Sequence, residues 1–307
     1  MSSLSADIEA EAPLSRRSTI AQLRDSIAKV AAKAGDETFL DRSLKGLGDD
    51  PSAAHQRRTR IPLGRDCRLD RLLGGGLALG TLTEIRGARP GDAAAASGFL
   101  LGLASRLAAR PGKARAAVLW IVEDFSAREQ GALYGAGLTF YGLDPARLIL
   151  VAARGAQQAL WAMEEALKCR GPAVVIGELW SAKLYDLTAS RRLCLAAQKQ
   201  GTPALLFLAG APASSGGFSS GADLRFEVRT HRSQPVAAAG GLPLPGASAW
   251  SVRLAKARAG PRAIGIDPEK FHPLIFDPDE AVFRDAYPLD FSADISDRPD
   301  QTALARG

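Results

Sequence analysis

The chain has 307 residues, 46% hydrophobic and 23% charged, with a formal net charge of +6. That balance fits a soluble globular protein with one large domain, or one domain with flexible ends. No apolar run approaches the ~20 residues that cross a bilayer. Cys67, Cys169 and Cys194 form no CxxC pair, and His55, His231 and His272 lack ligand spacing, so neither a disulfide framework nor a metal site is expected.

Residues 1–17 carry Asp7, Glu9 and Glu11 and no basic-then-apolar signal pattern, so a disordered tail on a cytoplasmic protein is expected. Residues 18–35 read as an amphipathic helix. Thr19 and Gln22 have capping-box spacing, Ile20, Leu23, Ile27, Val30 and Ala31 share a face, and Gly35 stops it. Residues 36–61 are polar and include the basic run Arg57, Arg58, Arg60, as in a linker.

A core is expected over 62–284. A short helix near 69–73 is stopped by Gly74, Gly75 and Gly76, and 81–86 is a strand. Ala93 to Arg110 is apolar nearly all round, as a buried helix is. Strands then alternate with helices: strands at 116–122, 147–153, 173–180 and 202–210, helices at 126–137, 156–169 and 185–200. That alternation predicts an α/β fold with a mostly parallel sheet and helices on both faces. Beyond a Gly/Ser-rich loop at 211–222, the stretches LRFEVRT and AWSVRLAKAR alternate and predict an antiparallel extension. Residues 285–307 read as an acidic disordered tail. From Leu274 onward there are eight acids and three arginines, which leaves 36 basic against 25 acidic residues elsewhere. A basic body suits a protein that works near nucleic acid, and equally a solvated arginine-rich surface.

The segment TEIRGARPGDAAAASGFLLGLA has the strand–glycine–loop–helix outline of a phosphate-binding loop. Such a loop needs GxxxxGK[ST], because its glycines admit the phosphates, its lysine neutralises them and its hydroxyl holds magnesium. Counting from Gly87, the second glycine, lysine and hydroxyl positions hold Asp92, Ala93 and Ala94, and Gly91 is out of step by one. Asp92 falls at the N-cap of the following helix. Its carboxylate is expected to accept the first free amides and stand in for a phosphate, or to be an ordinary N-cap. Either way no nucleotide cofactor is expected. Glu123 and Glu178 close two predicted parallel strands, where nucleotide enzymes keep a base and a metal ligand. Without the lysine they read as vestigial acids with structural hydrogen bonds.

Alternation along LRFEVRT puts Arg225, Glu227 and Arg229 on one face. Arg225 and Arg229, with Arg253, Lys256 and Arg258, are candidate DNA or partner contacts, or the solvated charges of an edge strand.

The stretches LDRLLGGGLALGTLTEIRG and WIVEDFSAREQGALYGAGLTF, in this order and spacing, resemble the RecA recombinase core over roughly residues 62–260. Within that superfamily the chain most resembles the inducible mutagenesis protein A (ImuA) family, which is itself similar to the SulA division inhibitors. The segment WSVRLAKARAG carries that likeness. The resemblance implies a RecA-like P-loop core and a non-catalytic accessory role in SOS-induced translesion synthesis. It implies as partners an ImuB-type Y-family-like polymerase and an error-prone replicative-type polymerase, with RecA and nonspecific DNA as further candidates. It also matches Glu123 to a water-activating glutamate and 211–222 to a DNA-binding loop. A DNA-dependent ATPase and a SulA-like division inhibitor are the alternatives, the first disfavoured by the missing lysine and the second by chain length.

Overall fold

The computed structural model describes residues 58–65, 67–211, 213, 219–237, 243–258 and 265–286. The expected N-terminal tail, the helix at 18–35, the linker up to residue 57, residues 212 and 214–218 of the 211–222 loop and the tail beyond 286 lie outside the described residues. The chain divides between residues 57 and 58, and every described residue belongs to the second unit.

That unit opens inside the predicted linker. Strand β1 (Arg60–Ile61) pairs antiparallel with β2 (Leu77–Ala78), and Arg58 donates a hydrogen bond to the Gly80 carbonyl at 3.0 Å. Between them lies α1 (Arg68–Leu73), which ends on Gly74 in the left-handed conformation. Strand β3 (Leu82–Gly87) leads through a 3-10 turn at Pro90–Asp92 into α2 (Ala93–Ala108).

Next come β4 (Val118–Glu123), α3 (Asp124–Gln130), α4 (Gly135–Phe140), β5 (Leu148–Ala153) and α5 (Ala156–Lys168). They are followed by β6 (Val174–Leu179), α6 (Leu187–Gln200), β7 (Ala204–Leu208) and β8 (Leu224–Thr230). The helix predicted at 126–137 is therefore two short helices, parted at Gly131, whose φ of 87° ends the first. A two-stranded ribbon, β9 (Val236–Ala237) with β10 (Pro243–Leu244), precedes β11 (Ala249–Ala257), β12 (His272–Asp277) and β13 (Val282–Asp285).

The main sheet has nine strands in the order β13-β12-β11-β8-β3-β7-β6-β4-β5. The run from β8 to β5 is parallel throughout, and β11, β12 and β13 add on antiparallel. This corrects one expectation. LRFEVRT is not part of the antiparallel extension but a parallel strand held between β3 and β11. The extension is instead completed by β12 and β13, whose short alternating runs carry acids that resemble a solvated tail.

Consecutive residues of the central strands face different cores. Leu205 and Phe207 of β7 join the apolar cluster under α2, whereas Leu206 and Leu208 join the cluster under α5 and α6. Helices therefore cover both faces of the sheet. The α2 core also takes in the antiparallel strands, through Phe99 packed edge-on against Phe226, Trp250 and Phe283. Gly102 makes that approach possible, since a Cβ there would lie 2.7 Å from the Phe283 ring.

Candidate functional site

The turn after β3 sits at the carboxyl end of the parallel strands, where open α/β sheets place ligands. Gly87 closes β3 beneath the turn backbone. A Cβ on it would lie 2.9 Å from the Arg89 carbonyl and 3.2 Å from the Ala93 nitrogen, so only glycine fits the path. Gly91 has open space around it, Ala94 is exposed and Ala93 half-buried.

Asp92 occupies the N-cap position, as expected, but its carboxylate does not bond the first amides of α2. One oxygen accepts the Arg89 amide at 3.1 Å. The other accepts the Thr230 hydroxyl at 3.1 Å and the Thr230 amide at 3.3 Å. This corrects the expected stand-in geometry. The 3-10 turn rotates the carboxylate away from the helix axis, back over the turn and onto the end of β8. Asp92 is 8% exposed, so a negative charge lies fixed in the turn.

Glu123 and Glu178 lie at the carboxyl ends of the neighbouring strands β4 and β6. Glu123 accepts the Trp180 amide at 2.9 Å, bracing the chain as it leaves β6. Glu178 is buried and accepts from the Trp120 indole at 3.1 Å and the Ser126 hydroxyl at 2.7 Å. Burial pushes its carboxyl up from the usual range, against those two hydrogen bonds. Each acid thus has a structural partner, and no group of His, Cys, Asp and Glu among the described residues could hold a metal ion.

The candidate cations separate into distinct environments. Because β8 is an interior strand, the face bearing Arg225, Glu227 and Arg229 is not a solvated edge. Arg225 is buried and its Nε donates to Glu84, which also accepts the Tyr185 hydroxyl at 2.6 Å. Lys256 donates to the Ser220 carbonyl at 2.6 Å, and burial pulls its ammonium below the ordinary lysine range. Arg253 pairs with Glu227, which also binds Arg86 at 2.8 Å. Arg258 is exposed. Arg229 lies over the Phe271 ring, 3.8 Å from its centre.

Of the acidic half of this network, Glu84 was not singled out from the sequence and Glu227 was read only as sharing a face with Arg225 and Arg229, yet a signal was there. The strand LTEIRG reads Glu-x-Arg and LRFEVRT reads Arg-x-Glu. In parallel register Glu84 meets Arg225 and Arg86 meets Glu227, so the reversed order sets opposite charges side by side. Tyr185 had no comparable pattern.

Together these features define an α/β protein with a large, mostly parallel sheet. The turn at the carboxyl end of its parallel strands holds its own carboxylate, and its strand-end acids are tied into the scaffold. Over 130 residues the chain is 38% identical to Protein ImuA of Caulobacter vibrioides strain NA1000 / CB15N, and equally to that of strain ATCC 19089 / CIP 103742 / CB 15. The match covers 42% of this chain and 48% of each relative, so the chain matches about half the length of these curated relatives. That similarity supports the resemblance to the ImuA family. No protein-family model matches the chain. No helix among the described residues is long and apolar enough to cross a membrane.

Proposed function

We propose that the protein is a non-catalytic accessory factor of SOS mutagenesis, built on a RecA-like scaffold whose phosphate loop has lost its nucleotide chemistry. The observation that carries this reading is the Asp92 carboxylate. It lies buried in the turn that stands in the place of a phosphate loop, bonded to Arg89 and Thr230 rather than to the first helix amides. Phosphate oxygens brought against that charge meet repulsion, and neither Ala93 nor Ala94 can neutralise them. The similarity to Protein ImuA supports the cellular setting.

In this reading the protein bridges an ImuB-type polymerase and an error-prone replicative-type polymerase at damaged DNA, with RecA and the DNA itself as further contacts. The decisive experiment is capture of the tagged protein from DNA-damaged cells in the presence of nuclease. Recovery of the ImuB-type or the error-prone polymerase supports the adaptor role. Recovery of a division protein of the FtsZ type redirects it to division control. Recovery of neither, with ATP turnover on single-stranded DNA, favours the ATPase alternative.

A further inference from the structure

The two edges of the nine-stranded sheet are built differently. Edge strand β13 carries Arg284, paired with Asp277 and Glu280, and Asp285, paired with Arg68. Charges of this kind keep an edge from pairing with another chain. The other edge, β5, reads LILVAA, with no charge, proline or glycine. It pairs with β4 on one side and with no strand among the described residues on the other. Its outward amides and carbonyls are a template for a further strand. Ile149 and Leu150 are each 51% exposed beside that row.

The faces of β5 fix how another strand can lie against it. Val151 and Ala153 pack into the cluster under α5 and α6, so Ile149, in phase with them, lies on that face. Leu148 packs into the cluster under α2, so Leu150 and Ala152 lie on the α2 face. A second copy related by a two-fold axis normal to the sheet runs antiparallel and keeps each face on its own side. Odd residues then meet odd ones and even meet even. With the axis at Leu150, Leu148 meets Ala152, Ile149 meets Val151 and Leu150 meets itself. Every paired position is apolar.

Beyond the paired stretch, Arg154 of one copy falls opposite Ala146 of the other, two residues from Asp144. Arg154 is exposed, and its guanidinium takes no ion pair among the described residues. Asp144 is exposed and holds the Ala146 amide with one oxygen at 2.9 Å. The two-fold axis repeats this meeting of opposite charges at both ends. The edge is therefore complementary to itself in hydrogen bonding, apolar surface and charge, as an isologous contact requires. We infer that two copies of this chain join edge to edge through β5, centred on Leu150, into a closed dimer with one continuous sheet. This goes beyond the accessory role proposed above and does not rest on it.

The test is sedimentation velocity of the full chain over a concentration series. Wild type should pass from monomer to dimer as concentration rises, and no further. Leu150→Lys sets two ammonium groups against each other at the axis and should stay monomeric throughout. Leu150 is half exposed in the single chain, so an unchanged denaturation midpoint should show that this variant folds. Arg154→Glu should weaken the dimer about tenfold, two exposed ion pairs being turned repulsive, and adding Asp144→Arg should restore it. With the exposed Cys169 replaced by serine, Leu150→Cys should cross-link to itself under mild oxidation, since facing residues of antiparallel strands lie within disulfide reach. A wild-type chain that stays monomeric overturns the contact and leaves the edge to a strand of another protein. A dimer that survives Leu150→Lys places the contact elsewhere and overturns it too. Open-ended assemblies, or a dimer in which Leu150→Cys fails to cross-link, overturn the two-fold register.

Discussion

The Thr230 hydroxyl donates to Asp92 across 3.1 Å, joining the turn after β3 to the end of β8, residues 138 apart in sequence. The bond holds the turn down and fixes a carboxylate beside it. Wild type should therefore show no micromolar binding of a labelled ATP analogue. Asp92→Ala should destabilise the fold by about 1–3 kcal/mol, because the Arg89 and Thr230 amides lose their acceptor. Urea denaturation measures the second effect. Micromolar nucleotide binding by wild type that survives Asp92→Ala would sink the first.

The buried pair of Glu84 with Arg225 should be the most sensitive charge in the molecule. Glu84 has no exposed surface, so Arg225→Ala leaves its charge in the interior. The expected cost is about 3–5 kcal/mol. Arg284→Ala, which breaks solvent-exposed pairs with Asp277 and Glu280, should cost under about 1 kcal/mol. Parallel denaturation curves decide this, and a small loss for Arg225→Ala would refute the assignment. Charge reversal at Arg225 is for the same reason a poor probe of DNA binding.

Stability should respond to pH through two acids with opposite signs. The Glu178 carboxyl is raised by burial, so the folded state holds its proton where the unfolded chain has released it. Its contribution falls as pH rises from the ordinary glutamate range to the raised value. Burial also pushes Glu227 up, but Arg253 and Arg86 outweigh that and hold it below the ordinary range. Its contribution is present above the unfolded value and is lost as pH falls through the folded one. Glu178→Gln keeps one oxygen for Trp120 and offers an amide to Ser126. It should remove the first slope, so that its stability relative to wild type improves as pH rises from the ordinary glutamate value of about 4.3 toward the raised one. Denaturation midpoints across that window check it.

Gly102 should tolerate no side chain. Alanine gains about 1 kcal/mol of helix propensity, yet its methyl would meet the Phe283 and Phe276 rings at 2.7 and 3.3 Å. Gly102→Ala should lose about 1–2 kcal/mol net. Adding Phe283→Leu should return part of that loss in a double-mutant cycle.

Much of the fold was legible because the central strands are buried on both faces and read as unbroken apolar runs, with amphipathic helices between them. VLWIVE and AVVIGELW became β4 and β6 within two residues of the expected bounds. Strands β12 and β13 were hidden because HPLIFD and VFRD are short, the first has a proline at its second position, the second is half charged, and both lie close to the acidic tail. At the site, Gly87, Asp92, Glu123 and Glu178 could be placed from motif spacing, since local chain geometry fixes them. Periodicity put Arg225 on its correct face but could not show that β8 was interior, because strand order depends on distant segments. Asp92 was located correctly, but its partners were misassigned for the same reason: Thr230 reaches it only through the assembled sheet.

Strand β13 ties the two ends of the core together. The Phe283 amide donates to the Leu63 carbonyl at 2.9 Å, and Asp285 accepts the Arg68 amide at 3.0 Å across 217 residues of sequence. Phe283 also completes the aromatic cluster around Phe99. During synthesis the aromatic cluster around Phe99 therefore stays incomplete until β13 has left the ribosome. Contacts this distant form late and slowly. A chain cut short before β13 leaves those aromatic rings partly uncovered and should be cleared by proteolysis rather than accumulate as a smaller working protein.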